Sequence, residues 1–412
     1  MQSSRVVALY RWISGYTHMS RLGVVPADAK GSATVLGMDG IRYWADQASY
    51  DMANDAVQAY ERELAQHRAS RMAGDLPPAE FLAISGGGES GAYGAGFLVG
   101  WTAAGTRPSF KLVAGISTGA MIAPFAFLGP AYDPQLQEIY TTLSAKDVLQ
   151  PRGYSGVLFQ DAFADSAPLR RTVVKNFDQA MVDAIAAEDA RGRILLVGTT
   201  NLDARRPVIW NVTKIAASRS PRALELIHDV LIASAAIPGA FPPVMIDVEV
   251  DGETYQEMHV DGGASAQVFV YPPSLSQRTP QFSDKHRERK RRLYVIRNAR
   301  LDPEWSGVER STFSILQRAV TSLIHTQGMG DLYRIYLAAQ RDHIDFNLAY
   351  IPETFTMQRN GPFDTAYMRQ LFALGHEHAV KGYQWAKVPP GFLAPQIERP
   401  LGERPPAARS IR

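Results

Sequence analysis

The sequence predicts an α/β fold with a largely parallel central sheet, and three observations carry that expectation. From Glu80 onward, short apolar segments alternate with longer helix-like runs, the order expected of consecutive βαβ units. Glycine-rich turns follow directly on two of the apolar segments. With 412 residues, 46% of them hydrophobic and 20% charged, the chain is large enough for a sizeable core and has the composition of a globular protein.

Taken in order, residues 1–75 read as a mostly helical extension, with a helical stretch from Gly40 to about Arg71 rich in Ala, Glu and Gln. Pro77 and Pro78 break the chain. Phe81–Ser85 reads as a short strand, followed by a glycine turn and a helix through Trp101. Lys111–Ile116 is a second strand, leading into a helix from Thr118 to about Leu128. Arg193–Thr200 and Pro207–Trp210 read as two further strands, Leu224–Ala236 as a helix and Arg292–Asn298 as a late strand. After Asp345 the pattern is helical again, around Met368–Lys387, and the chain ends in a proline-rich tail from Val388.

Composition excludes several functions. The net charge of +2 gives no overall attraction to nucleic acid. With no cysteine there is no disulfide, thiol nucleophile or thiolate metal site. No run approaches the eighteen apolar residues of a membrane span, and Arg11 and Trp12 interrupt the N-terminal apolar patch, which makes it a poor signal peptide. The compartment stays open between cell envelope and cytoplasm. The basic run Lys285–Arg292 (KHRERKRR) reads as a solvated loop entering a strand, with contact to anionic lipid headgroups as the alternative.

Three motifs carry chemistry. Gly115-Ile116-Ser117-Thr118-Gly119 fits G-x-S-x-G between an apolar strand and an apolar helix, the setting of a sharp turn that presents a serine oxygen. Such a nucleophile needs a base and an oxyanion site. Asp261-Gly262-Gly263, at the end of an apparent strand, offers a carboxylate beside a tight turn. Of the nine histidines only His259, on the same strand face as Asp261, is held in reserve as the base; His228 reads as a satisfied, partly buried side chain. Gly86-Gly87-Gly88, just after a strand, can point successive amides into one concavity that binds an anion. Gly86-x-Gly88-x-x-Gly91 also fits a dinucleotide fingerprint, but Thr106–Lys111 holds no acidic residue for the ribose. Phe97, Trp101, Phe125, Phe127, Phe241 and Val244 fall near the motifs and are candidates to line an acyl groove.

In that chain order, GGGESGAYGAG, GISTG and DGG resemble the patatin-like phospholipase family, in particular its bacterial acyl hydrolases. The segments ASAAIPGAFPPV (Ala233–Val244), DSAPLRRTV (Asp165–Val173) and TTNLDARRPVIW are similar to further stretches of that family. The resemblance covers roughly residues 80–300. It implies a three-layer fold with helices on both faces of the sheet. The catalytic domain would span 76–305, followed by a helical region packing on the core (306–387) and a tail (388–412). It implies a Ser–Asp dyad of Ser117 and Asp261, an oxyanion hole from the amides of Gly86, Gly87 and Gly88, a nucleophile elbow framed by Gly115 and Gly119, and no metal or other cofactor. The expected substrate is a lipid or other acyl ester, with peripheral membrane contact as a further expectation, no nucleic acid partner and no expectation about oligomeric state. The sequence departs from the family where an arginine or lysine usually follows the glycines: Glu89-Ser90 stands there, and Glu89 is expected to point to solvent. A catalytically silent lipid-binding protein and a Ser–His–Asp esterase using His259 remain as alternative readings.

Overall fold

A computed structural model describes residues 21–29, 31–47, 49–70, 74–151, 161–276, 288–302, 305 and 307–392, without the side chains of residues 312, 313, 316 and 317. The N-terminal apolar patch and nearly all of the proline-rich tail lie outside these residues. The strands of the main sheet are β1 (Arg42–Trp44), β2 (Ala79–Ile84), β3 (Leu112–Ile116), β4 (Ile194–Asn201), β5 (Arg206–Asn211), β6 (Val244–Val250), β7 (Glu253–Asp261), β8 (Arg291–Arg297) and β9 (Asp345–Tyr350). The longer helices are α1 (Tyr50–Ala69), α2 (Gly91–Ala103), α3 (Thr118–Leu128), α4 (Asp133–Thr142), α5 (Ala167–Asn176), α6 (Gln179–Asp189), α7 (Val212–Ala217), α8 (Ala223–Ala235), α9 (Thr312–Arg341) and α10 (Thr365–Val380).

The sheet runs β1-β5-β4-β3-β2-β8-β9, with β7 pairing the far end of β4 and β6 pairing β7. The five strands from β4 to β9 in that order are parallel; β1, β5, β6 and β7 extend them antiparallel. Side chains alternate between two cores. Leu82, Ile84, Val113, Val197 and Ile296 face α2, α3, α8 and α10. Phe81, Ala83, Ala114, Leu196, Leu293 and Val295 face α1 and α9. The result is the expected three layers, because parallel strands joined by helical crossovers must bury both faces.

Three strands were not legible in the sequence. Gly40–Arg71 is not one helix: β1 precedes α1, and its three residues pair antiparallel with β5. β6 forms a hairpin with β7. The region after residue 306 is not helical throughout, because β9 adds a parallel edge strand to β8. Of the basic run, residues 285–287 lie outside the described residues. Within the rest, Arg289 bridges to Glu63 at 2.7 Å and Arg292 to Glu80 at 3.1 Å.

Candidate active site

Ser117 is the residue at which β3 ends and α3 begins, with φ 56° and ψ −126°. Positive φ is uncommon for a residue with a side chain and stores strain on the order of 1 kcal/mol. The flanking glycines make the turn sterically feasible. A Cβ at Gly115 would strike the backbone of Gly119, and one at Gly119 would strike the carbonyl of Ile84. The turn is clamped from α8: the Ser117 amide donates to Ser234 Oγ at 2.9 Å, and the Ser234 hydroxyl donates to the Gly198 carbonyl at 2.7 Å. As the N-cap of α3, Ser117 also sits in the positive end of that helix's field.

Register brings Asp261 to the same point. β3 runs along β4 only as far as Ile116 opposite Gly198, and β7 takes over that edge with Asp261 opposite Thr199. Ser117 and Asp261, far apart in sequence, therefore meet where one strand replaces the other. Both are buried, at 7% and 4% exposure. The Gly263 amide donates to Asp261 Oδ1 at 2.7 Å. Burial pushes the Asp261 carboxyl up to about 7, while the Gly263 amide and the nearby Ser117 hydroxyl each pull it partly back.

The glycine loop closes the third side, with one correction. The Gly86 amide is not free for an anion, because it donates to the Gln267 carbonyl at 3.0 Å. The amides of Gly87 and Gly88 have no acceptor among the described residues. Gly87 answers why the loop is glycine: its φ is 153°, and a Cβ there would collide with the Asn298 carbonyl. Asn298 grips the loop from β8's end. Its amide donates to Ser85 Oγ at 2.9 Å, its Nδ2 to the Ser85 carbonyl at 2.9 Å, and its Oδ1 accepts from the Gly94 amide at 3.0 Å.

Glu89 does not point to solvent. It is 6% exposed, ion-pairs with Arg359 and accepts from the Phe363 amide at 3.1 Å. The acidic side chain therefore faces the C-terminal segment, which folds over the loop. A cavity of about 80 Å³ adjoins Ser117, and Gly88, Glu89, Phe125, Phe241, Phe363 and Met368 are in its wall. Of the residues expected along an acyl groove, Phe125 and Phe241 are there. Phe97 instead packs edge-on and Trp101 at a tilt against Trp385, 5.2 and 5.0 Å between ring centres, and Phe127 lies under the Arg193 guanidinium at 4.4 Å. Val244 begins β6, away from the cavity wall. A larger cavity of about 380 Å³ lies under the opposite face of these strands, against Asp331 and Ile335 of α9, and includes neither Ser117 nor Asp261. Proximity to the hydroxyl makes the smaller one the candidate acyl site.

His259 shares a strand with Asp261, yet both its ring nitrogens are taken, by Thr199 Oγ1 at 3.0 Å and Glu257 Oε2 at 3.0 Å. Its burial holds its pKa below the ordinary value. His228 is a satisfied buried residue, its Nε2 2.6 Å from the Phe177 carbonyl. Among the described residues no group of three His, Asp or Glu side chains is arranged to hold a metal ion. Nothing in the sequence pointed to the roles of Ser234 and Asn298, although the first lies in the Ala233–Val244 segment and the second at the end of the Arg292–Asn298 strand, both noted for other reasons.

A strained serine on a strand–helix turn, with a buried carboxyl and open loop amides around it, is the architecture of an α/β acyl hydrolase. Residues 82–272 match the family model described as patatin-like phospholipase. No curated protein matches the chain. Among solved structures it is similar to VipD from Legionella pneumophila (12% identity, 76% of this chain and 68% of that one, TM-score 0.35). It is also similar to full-length ExoU of the Pseudomonas aeruginosa type III secretion system, solved with SpcU (12% identity, 75% and 52%, TM-score 0.29). Human GIVD cytosolic phospholipase A2 is a third (12% identity, 68% and 50%, TM-score 0.30). The chain spans about half the length of the last two.

Proposed function

We propose that the protein hydrolyses lipid acyl esters through a dyad of Ser117 and Asp261. The observation that carries the reading is the meeting of the strained Ser117 turn with a buried Asp261 whose carboxyl is raised to about 7, beside an apolar cavity. Ser117 Oγ attacks the ester carbonyl as its proton passes to Asp261. The carbonyl oxygen becomes an oxyanion facing the amides of Gly87 and Gly88. Collapse releases the alcohol, protonated by Asp261, and leaves the acyl group on Ser117. Water, deprotonated by Asp261, then frees the fatty acid and restores the serine. A base with a pKa near the working pH combines a useful ionised fraction with useful basicity. Each oxyanion donor of this kind lowers the barrier by about 3 kcal/mol. Gly86 enters only as a brace, through its bond to Gln267.

The test is turnover of p-nitrophenyl esters of increasing chain length and of phospholipids by the native protein, Ser117→Ala and Asp261→Asn. Loss of turnover in both variants is expected. Undiminished hydrolysis by Ser117→Ala would leave the catalytically silent reading, and survival of Asp261→Asn with loss in His259→Gln would leave the Ser–His–Asp reading.

A further inference from the structure

We infer that the N-terminal half of α9, with Trp305 before it, is a lipid-surface docking element that projects from the catalytic edge of the sheet. This rests on the lipid-hydrolase reading for its purpose, but its evidence is separate. β8 and β9 are parallel, so the connecting helix α9 must run back against them, and its N-terminus lies at the edge where parallel strands end. β3 is parallel to the same strands and ends there in Ser117. α9 has 30 residues, about 45 Å of helix, whereas the seven residues of β8 span about 23 Å. The overhang has a sharp start. Gly328 packs against the guanidinium of Arg297, the last residue of β8, and Asp331, Leu332, Ile335 and Ala339 are buried beyond it. No described residue from 311 to 327 is buried. Residues 312–327 thus extend about 24 Å past the sheet on the catalytic side.

This overhang exposes several apolar side chains along one face, beside exposed Thr321, Ser322 and Thr326. Ile315 is 55% exposed, Val320 41% and Leu323 69%, while Trp305 on the approach is 93% exposed. With Ala319, the three helix positions cover an arc of about 140°. The chain holds no Asp or Glu between Glu309 and Asp331, and its cations there are Arg310 and Arg318. A helix half that shows apolar side chains, carries no carboxylate and has a flanking tryptophan suits the boundary between headgroups and acyl chains. No helix among the described residues is long and apolar enough to cross a membrane, so the element would lie in the interface. Its position at the same sheet edge as Ser117 would bring the site to the surface where acyl esters reside.

The test uses the full chain carrying Ser117→Ala, so that binding is read without turnover, in sedimentation with phosphatidylcholine vesicles with and without phosphatidylserine. Ile315→Asp together with Leu323→Asp is expected to lower vesicle partitioning at least tenfold, with thermal unfolding unchanged. Trp305→Ala, outside the helix, should lower it severalfold. In the catalytically competent background the same changes should leave hydrolysis of a soluble short-chain ester intact and reduce hydrolysis of vesicle phospholipid. Unchanged partitioning in both variants would overturn the inference, as would a dimer of the native chain that Leu323→Asp converts to monomer. If no ester is hydrolysed yet binding is lost in the variants, the catalytic reading fails and the docking element stands.

Discussion

The dyad reading makes its sharpest demand on pH. Asp261 acts as base only when ionised, and burial sets its pKa at about 7. At pH 5 about 1% of the protein would then hold the active carboxylate, against half at pH 7. kcat/KM should rise about a hundredfold from pH 5 to pH 9, with unit slope below a single midpoint near 7. The assay is initial rates on a soluble p-nitrophenyl ester at substrate well below KM and fixed ionic strength, with folding checked at each pH. Stability should run the opposite way. A carboxyl whose folded pKa exceeds its unfolded value favours folding most fully below the unfolded pKa of 3.8 and loses that contribution as pH rises through 7. The ionised, buried carboxylate then costs about 4 kcal/mol. Asp261→Asn should therefore abolish turnover while stabilising the protein at pH 8–9 by up to about that amount. A flat rate profile between pH 5.5 and 8.5, or a midpoint that vanishes in His259→Gln, would refute the reasoning.

Other expectations concern the scaffold. Ser234→Ala strips partners from the Ser117 amide and the Gly198 carbonyl and should lower stability by about 2 kcal/mol in urea unfolding, with a loss of kcat greater than any rise in KM. Gly119→Ala drives a methyl into the Ile84 carbonyl and should cost about 3 kcal/mol or more, read as loss of soluble protein or a lowered Tm. Glu89→Ala leaves the Phe363 amide unpaired and should speed hydrogen exchange there, whereas Arg359→Ala, whose side chain is 63% exposed, should change stability by less than about 1 kcal/mol.

The sequence alone carried the local chemistry. A strand, a G-x-S-x-G turn and a helix are contiguous, so the serine's strained setting follows from steric rules on neighbouring residues, and α3 begins and ends where its apolar run does. Alternating strands and helices likewise define the parallel core. What the sequence could not carry were consequences of pairing between distant segments. β1, β6 and β9 are short or edge strands whose patterns are ambiguous until a partner strand supplies the hydrogen bonds. The loss of Gly86 as an anion donor depends on Gln267, the inward turn of Glu89 on Arg359 and Phe363, and the grip on Gly87 on Asn298. Even Gly96 and Gly100, conspicuous in the glycine-rich stretch, are explained only by the backbone of α10 lying against them at Phe372 and His376. Residue types specify which turns and helices are feasible, because those choices are settled within a few residues. Which carboxyl meets the hydroxyl, and which amides stay open, is settled by strand register, where β7 replaces β3 along β4.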